Sequence, residues 1–131
     1  YAETDPTYDI KGIDSACKVA ILANSVFKKD VKFSDVSVTG IDTVTPEAVE
    51  MAAEKGMVIR HIGEISKDKL EVAPRLIPKN HPLSVPGSLN KAQVITDMAG
   101  PITVSGRGAG KSETASAMLS DLIWIMDRRT A

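Results

Sequence analysis

Apolar side chains recur at helical spacing directly after Gly12 and predict a helix from residue 12 to residue 27. The positions that define this spacing are Ile13, Ala16, Cys17, Ala20 and Ile21. Further apolar residues cover the far side of the same helix, and they are Val19, Leu22, Val26 and Phe27. Only a narrow polar stripe with Asp14 and Lys18 remains, so the pattern is typical of a buried helix.

The remaining segments alternate between strand-like and helix-like patterns. We predict strands over residues 35–39, 57–65, 70–77, 92–96 and 102–105, with Pro74 interrupting the third of them. Two further helices are predicted over residues 45–55 and 112–127, the first with Thr45 as N-cap and Pro46 at its first position. The polar turn at residues 66–69 favours antiparallel pairing of the strands beside it. The fold class is therefore α+β, a mixed and largely antiparallel sheet of four to five strands with two to three helices packed on it.

Composition narrows the function classes. The chain has 131 residues, 43% of them hydrophobic, a length typical of one domain with a core. A net charge of −1 and 4% aromatic residues argue against a nucleic acid or an anionic membrane as partner. No apolar run is long enough to span a bilayer. The single cysteine, Cys17, is expected to be a buried thiol, and its inability to form an internal disulfide suits a cytoplasmic protein.

Polar residues cluster at the turn that leads into the first helix. Four carboxylates precede or begin this helix, namely Glu3, Asp5, Asp9 and Asp14. Asp14 and Lys18 are four residues apart and can therefore touch. The pair is either an exposed surface ion pair or part of a polar pocket, and the apolar helix around it favours the pocket. Asp5 precedes Pro6 and has a second explanation as a cap of the turn.

Several segments of the chain match the motifs of one enzyme family. The opening segment YAETDPTYDIKGIDSACK resembles the pattern G-[YF]-[AT]-E-x-D-P followed by D-[LIV]-x-G-x-D-x-x-x-K, which is the substrate motif of homoserine dehydrogenases. The segment LIPKNHPL at residues 76–83, the turn GSLN at 87–90, and GRGAG followed by TASA at 106–117 also resemble family segments. The matches occur in family order and cover nearly the whole chain.

The resemblance implies a function and a set of site residues. It implies the interconversion of L-homoserine and L-aspartate 4-semialdehyde, with NAD or NADP as cofactor. Lys18 and Asp14 match the family's catalytic pair. The substrate-binding positions correspond to Tyr1, Glu3 and Asp9, of which the two carboxylates face the substrate's amino group. The glycine turn near the cofactor corresponds to Gly108, Ala109 and Gly110.

The resemblance also implies how the chain is organised. Residues 1–105 correspond to the substrate-binding, catalytic and dimerisation domain, and residues 106–131 to a glycine turn and helix that return to an N-terminal nucleotide-binding domain. Since that domain precedes the motif, we expect the 131-residue chain to be an inactive fragment of a cytoplasmic homodimer that serves threonine, methionine and isoleucine biosynthesis. The alternative is a non-catalytic binding or interaction module derived from the same domain.

Other site chemistries find little support in the sequence. A phosphate loop of the Walker A type needs four residues between its glycines, whereas Gly106 and Gly110 enclose three. A dinucleotide fingerprint needs Gly-x-Gly-x-x-Gly, and here the spacing is Gly-x-Gly-x-Gly. His61 and His81 have no histidine or cysteine partner at metal-ligand spacing, so no metal site is predicted.

Overall fold

The computed structural model describes residues 5–85, 87 and 89–129. The helices are α1 (Thr7–Ile10), α2 (Ile13–Phe27), α3 (Pro46–Glu54) and α4 (Lys111–Arg129). The strands are β1 (Ser37–Val38), β2 (Met57–Ile65), β3 (Leu70–Pro78), β4 (Leu89–Ile95) and β5 (Pro101–Arg107). The predicted α+β class is confirmed.

Contacts divide the described chain into two compact units, residues 5–84 and residues 85–129. The functional division predicted at residues 105 and 106 stays a prediction.

The first unit contains a three-stranded sheet in the order β1-β3-β2. β2 and β3 form an antiparallel hairpin in which Met57 lies opposite Pro78 and Ile65 opposite Leu70. The turn is closed by a 2.8 Å hydrogen bond from Ser66 N to Lys69 O. β1 runs parallel to β3 and pairs with it only at Glu71 and Val72.

The predicted interruption at Pro74 is wrong, because β3 continues through this residue, opposite His61. Proline lacks a backbone N–H and is tolerated where a strand has a free edge. Pro74 lies beyond the two residues that β1 pairs, so one edge of β3 is free there. The missing donor therefore costs the sheet no hydrogen bond.

The core of the first unit lies between α2 and the sheet. Its buried cluster consists of Ala16, Val19, Ala20, Val36 and Val72. A methyl group at Gly63 of β2 would lie only 2.6 Å from Val19 Cγ2, so the glycine permits the close approach of helix and strand. The small residues on this face of α2 thus place the helix axis close to the sheet.

Two expectations about α2 are wrong. The helix is not buried all round, since Ile21, Leu22, Val26 and Phe27 remain 42–64% exposed. Cys17 is exposed as well. The sheet covers one side of the helix only, and the apolar pattern on the far side does not specify what covers it. The sequence correctly indicated that the far side of α2 is apolar, but it did not indicate that this side is exposed.

The second unit consists of a hairpin and a helix. β4 and β5 pair antiparallel, from Leu89 opposite Arg107 to Ile95 opposite Pro101. The five strands thus form two sheets, where the pattern suggested one. Periodicity identifies strands but not their partners. α4 follows a glycine turn, and no described residue from 85 to 129 is buried.

α3 confirms its predicted start. Thr45 Oγ1 accepts a hydrogen bond from Ala48 N at 3.3 Å, and Pro46 occupies the first helical position. Thr45 therefore satisfies one of the free N–H groups at the helix start. Among the described residues, no helix combines the length and the apolar content required to cross a bilayer.

Candidate functional site

The turn before α2 is built by Asp5. One of its carboxylate oxygens, Oδ1, accepts hydrogen bonds from the Thr7 backbone N–H at 3.1 Å and from the Thr7 hydroxyl. The hydroxyl bond is the main reason why the pKa of Asp5 lies below its ordinary value. The predicted role of Asp5 as a cap of this turn is confirmed. The single-turn helix α1 that follows was not predicted, because four residues are too few to show a helical period.

Gly12 joins α1 to α2. Its φ of +76° lies in the left-handed region, which favours glycine. α1 therefore ends before Gly12, and α2 begins immediately after it in a new direction. As a result Asp9 at the end of α1 and Asp14 in the first turn of α2 lie on the two sides of this bend.

Four residues around the bend line an open hollow of about 320 Å³, and they are Asp5, Tyr8, Asp9 and Asp14. Three of the four carry carboxylates, so the hollow has an excess of negative charge. Such a surface favours a cationic group, for example an ammonium. The phenol of Tyr8 adds an aromatic wall and a hydroxyl.

Lys18 lies one helical turn after Asp14 and pairs with it. Its Nζ is 2.7 Å from Asp14 Oδ2, and the two side chains are 54% and 47% exposed. The pair is therefore an ion pair on the protein surface, and exposed pairs of this kind contribute little stability. Because Asp14 also lines the hollow, the pair places an ammonium group at its edge. By its exposure the pair is the surface ion pair of the two alternatives, and of its two members Asp14 lines the hollow.

The structure brings together three of the five predicted catalytic and substrate-binding residues, namely Asp9, Asp14 and Lys18. Tyr1 and Glu3 lie outside the described residues. Sequence reasoning missed Tyr8 and gave Asp5 only a capping role. The position of Tyr8 next to Asp9, on the same turn, was the signal that it shares the site.

The predicted cofactor residues Gly108, Ala109 and Gly110 connect β5 to α4. A methyl group at Gly108 would overlap the Asn90 amide, and one at Gly110 would overlap the Glu113 carboxylate. A second open hollow, of about 460 Å³, lies at the start of α4 and is lined by Arg107, Ser112, Glu113, Ser116 and Ala117. Arg107 Nη1 and Glu113 Oε1 are 3.8 Å apart within it.

The two histidines have structural partners. His61 Nε2 lies 2.8 Å from Thr39 O. His81 Nδ1 accepts a 3.1 Å hydrogen bond from Leu83 N, which shapes the loop after β3. No three described His, Cys, Asp or Glu side chains are grouped as metal ligands would be.

Comparisons with known proteins identify the family of the chain. A family model described as homoserine dehydrogenase matches residues 1–123. The chain is 52% identical over 124 residues to a homoserine dehydrogenase of Methanocaldococcus jannaschii, covering 95% of this chain and 37% of the relative. It is 38% identical to an NAD(+)-dependent homoserine dehydrogenase of Pseudomonas canavaninivorans, covering 99% and 39% of the two chains.

Solved structures show the same relationship. A homoserine dehydrogenase from Thiobacillus denitrificans superposes with a TM-score of 0.85 at 39% identity, covering 94% of this chain and 30% of the other. A hyperthermophilic archaeal homoserine dehydrogenase mutant in complex with NADPH superposes with a TM-score of 0.76 at 30% identity, covering 92% and 34%. The chain spans between 30% and 39% of the lengths of these four proteins. Because a family model matches residues 1–123, nearly the whole length, the chain belongs to the homoserine dehydrogenase family.

Proposed function

We propose that this chain is the substrate-binding and catalytic part of an NAD(P)-dependent homoserine dehydrogenase. The enzyme is an oxidoreductase that interconverts L-homoserine and L-aspartate 4-semialdehyde. The observation that carries the proposal is the arrangement of Asp9 and Asp14 around one hollow, with Lys18 held 2.7 Å from Asp14 at its edge. A carboxylate site next to a cation matches a substrate with an ammonium at one end and a hydroxyl at the other.

The carboxylates bind the amino end of the substrate. Asp9 accepts charge-assisted hydrogen bonds from the homoserine ammonium, which are about twice as strong as neutral ones. Glu3 and Tyr1 are proposed to complete this end of the site, as the family motif implies. Asp5 Oδ1 already accepts two hydrogen bonds from Thr7. The negative charge of Asp5 therefore attracts the substrate ammonium from a distance.

Lys18 moves the proton of the reaction. In the oxidative direction Nζ accepts the proton that leaves the homoserine hydroxyl, and in the reductive direction Nζ returns it to the forming alkoxide. Asp14 orients Nζ through the 2.7 Å contact and balances its positive charge. A cation at this point also stabilises negative charge on the substrate oxygen in the transition state. NAD or NADP, when bound, supplies the acceptor or donor of the hydride.

The described residues do not form a phosphate site for that cofactor by themselves. The Glu113 carboxylate lies against Gly110, at the helix start where a phosphate would otherwise be favoured, and it faces Arg107 at 3.8 Å. We therefore propose that a domain outside this chain binds most of the cofactor. Gly108, Ala109 and Gly110 are proposed to contact it only at its edge.

The same proposal includes assembly and location. The second unit exposes apolar side chains on both its hairpin and its helix, among them Ile95, Val104 and Leu122. Such a surface favours burial against another protein surface, and a two-fold homodimer is the commonest arrangement. We propose a cytoplasmic homodimer that acts in threonine, methionine and isoleucine biosynthesis.

Steady-state kinetics of the complete enzyme test the function. Lys18→Ala should lower kcat by about 10²–10⁴-fold, because the proton acceptor is lost. Asp9→Asn should raise the KM for homoserine more than it lowers kcat, because it removes charge at the amino end and leaves the reacting carbon untouched.

The control is Lys55→Ala, which removes an exposed lysine at the end of α3. It should leave both constants within a factor of about two, as expected for a surface substitution. A wild-type kcat in Lys18→Ala would contradict the assignment of Lys18, whereas a complete protein without homoserine turnover would favour the non-catalytic module. Steady NAD(P)H formation by the isolated 131-residue chain would contradict the proposal that another domain binds the cofactor.

A further inference from the structure

The bend between α1 and α2 is packed against a histidine from another element. A methyl group at Gly12 would overlap the ring carbon Cε1 of His61 and would lie 3.0 Å from its Nε2. Gly12 is buried, and its backbone is therefore in direct contact with the imidazole edge. His61 belongs to β2, so the sheet supports the bend through this ring.

A hydrogen bond fixes the position of the ring. His61 Nε2 lies 2.8 Å from the carbonyl oxygen of Thr39, which can only accept, so Nε2 carries the hydrogen. Thr39 is itself anchored to the sheet, because its N–H donates to Val72 O at 2.8 Å. The imidazole is thus held between β2 and the segment that follows β1.

The next residue completes the support from a second side. A methyl group at Gly40 would lie 2.9 Å from Ile10 O and 3.1 Å from Lys11 Cα. The backbone at Thr39 and Gly40 therefore lies against the last residues before the bend, while the His61 ring lies against Gly12. α2 has no side-chain cap at its N-terminus. The packing of His61 and Gly40 takes the place of such a cap.

We propose that His61 is a positioning residue of the substrate site. Its ring, fixed by Thr39 O, sets the direction in which α2 leaves Gly12 and hence the separation of Asp9 from Asp14 and Lys18. His61 is not among the described residues that line the hollow. The effect of His61 on homoserine binding rests on the proposed function. The effect of His61 on the bend rests on the geometry alone.

Kinetics of the complete enzyme test the effect on the substrate. His61→Ala should raise the KM for homoserine by about tenfold, since the two ends of the substrate then meet carboxylates and ammonium at the wrong separation. The KM for NAD(P) should stay within about twofold, because the glycine turn proposed to contact the cofactor belongs to the other compact unit. His61→Gln should recover most of the loss, because its amide can still donate to Thr39 O. The control is His81→Gln, which removes the other histidine and should leave the homoserine KM unchanged.

The steric part of the contact has its own test. Gly12→Ala should impair homoserine binding because its methyl group overlaps the ring. The double variant Gly12→Ala/His61→Ala should then bind homoserine better than Gly12→Ala alone, because the overlap is removed. Such non-additivity is expected only of residues in direct contact. A double variant with the product of the two single effects would overturn the proposed contact.

Hydrogen exchange separates this inference from the proposed function. Peptides covering residues 10–14 should exchange about tenfold faster in His61→Ala than in the wild type, whatever the substrate is. Unchanged exchange would overturn the inference even if the enzyme oxidises homoserine. Faster exchange with an unchanged homoserine KM would also overturn it, because the bend would then not set the site. A wild-type enzyme without homoserine turnover would refute the proposed function, while faster exchange in His61→Ala would still support the hold of His61 on the bend.

Discussion

The two units of the described chain differ in how they are stabilised. All the described apolar residues that are buried lie in residues 5–84, between Ala16 and Ile77. The described residues after 84 contribute none, and every residue of β5 is exposed. A two-stranded hairpin is marginally stable in water unless another layer covers it. The first unit thus has a core of its own, whereas the second depends on surfaces that its own residues do not supply.

The comparison of α2 with α4 shows what helical periodicity does and does not specify. Both helices have an apolar stripe in the sequence. In α2 the residues Ala16 and Ala20 are buried, and Val19 approaches Gly63 of the sheet. In α4 the apolar residues Leu119, Leu122 and Met126 remain more than half exposed. The stripe indicates which side of a helix favours burial, but the covering surface is a property of the tertiary structure.

The largest expected effect comes from separating the two units. A peptide of residues 1–84 should unfold cooperatively, because it retains the whole core. A peptide of residues 85–131 should show only partial helicity from α4, since an isolated helix is marginal in water. Circular dichroism during urea unfolding, with the mass of each peptide checked by sedimentation, measures both. A cooperative unfolding transition of the second peptide as a monomer would contradict the conclusion that only the first unit has a core of its own.

Two valine substitutions compare the units within the intact chain. Val72 is fully buried in β3, and Val72→Ala should lower the free energy of unfolding by about 2 kcal/mol through lost burial and the cavity left behind. Val104 in β5 is 63% exposed, and Val104→Ala should cost less than about 0.5 kcal/mol. Urea unfolding of both variants gives the two values. Equal losses would mean that Val104 is buried in the assembled protein.

The smallest expected effect is the dependence of folding stability on pH. It arises because the two hairpins differ in charge. On the β2–β3 hairpin, Lys69 Nζ lies 2.7 Å from Glu64 and 3.0 Å from Glu71, and Arg75 contacts both carboxylates. The hydrogen bond from Lys69 is the main cause that holds the pKa of each glutamate below its usual 4.5. The bond to Glu64 is the main cause that raises the pKa of Lys69 above 10.5.

The direction of the pH effect follows from these shifts. The glutamates stabilise the fold at and above pH 4.5, and this contribution is lost as the pH falls through their lowered pKa values. The contribution of Lys69 is complete below pH 10.5 and is lost as the pH rises further. Urea midpoints of Glu64→Gln/Glu71→Gln should therefore depend less on pH in acid than those of the wild type. Thr103→Val is the control, because it removes only the neutral 3.2 Å bond from Gln93 on the other hairpin.

Local signals in the sequence predicted much of the fold. The helix predicted over residues 12–27 is α2, and the cap at Thr45 and the turn at residues 66–69 are present as expected. These features depend on neighbouring residues alone. The division into two sheets and the continuity through Pro74 depend on which strands become neighbours, which no local pattern encodes.

The sequence predicted some residues of the candidate site and missed others. Its motif identified Asp9 and Asp14, which line one hollow, and Lys18, which pairs with Asp14. Tyr8 lines the hollow because it lies on the short helix α1. A helix of four residues is too short to be recognised from its periodicity. The contact of His61 with Gly12 joins residues 49 positions apart, and spacing along the chain gives no indication of it.

The exposure of Cys17 makes α2 accessible to selective chemistry. It is the only thiol in the 131-residue sequence, it lies on the surface, and it directly precedes Lys18. A maleimide dye on the isolated chain would therefore attach at one known position, a single residue from the ion pair. The emission of such a dye would respond to changes in local polarity, so that ligand occupancy of the acidic hollow becomes measurable without any turnover.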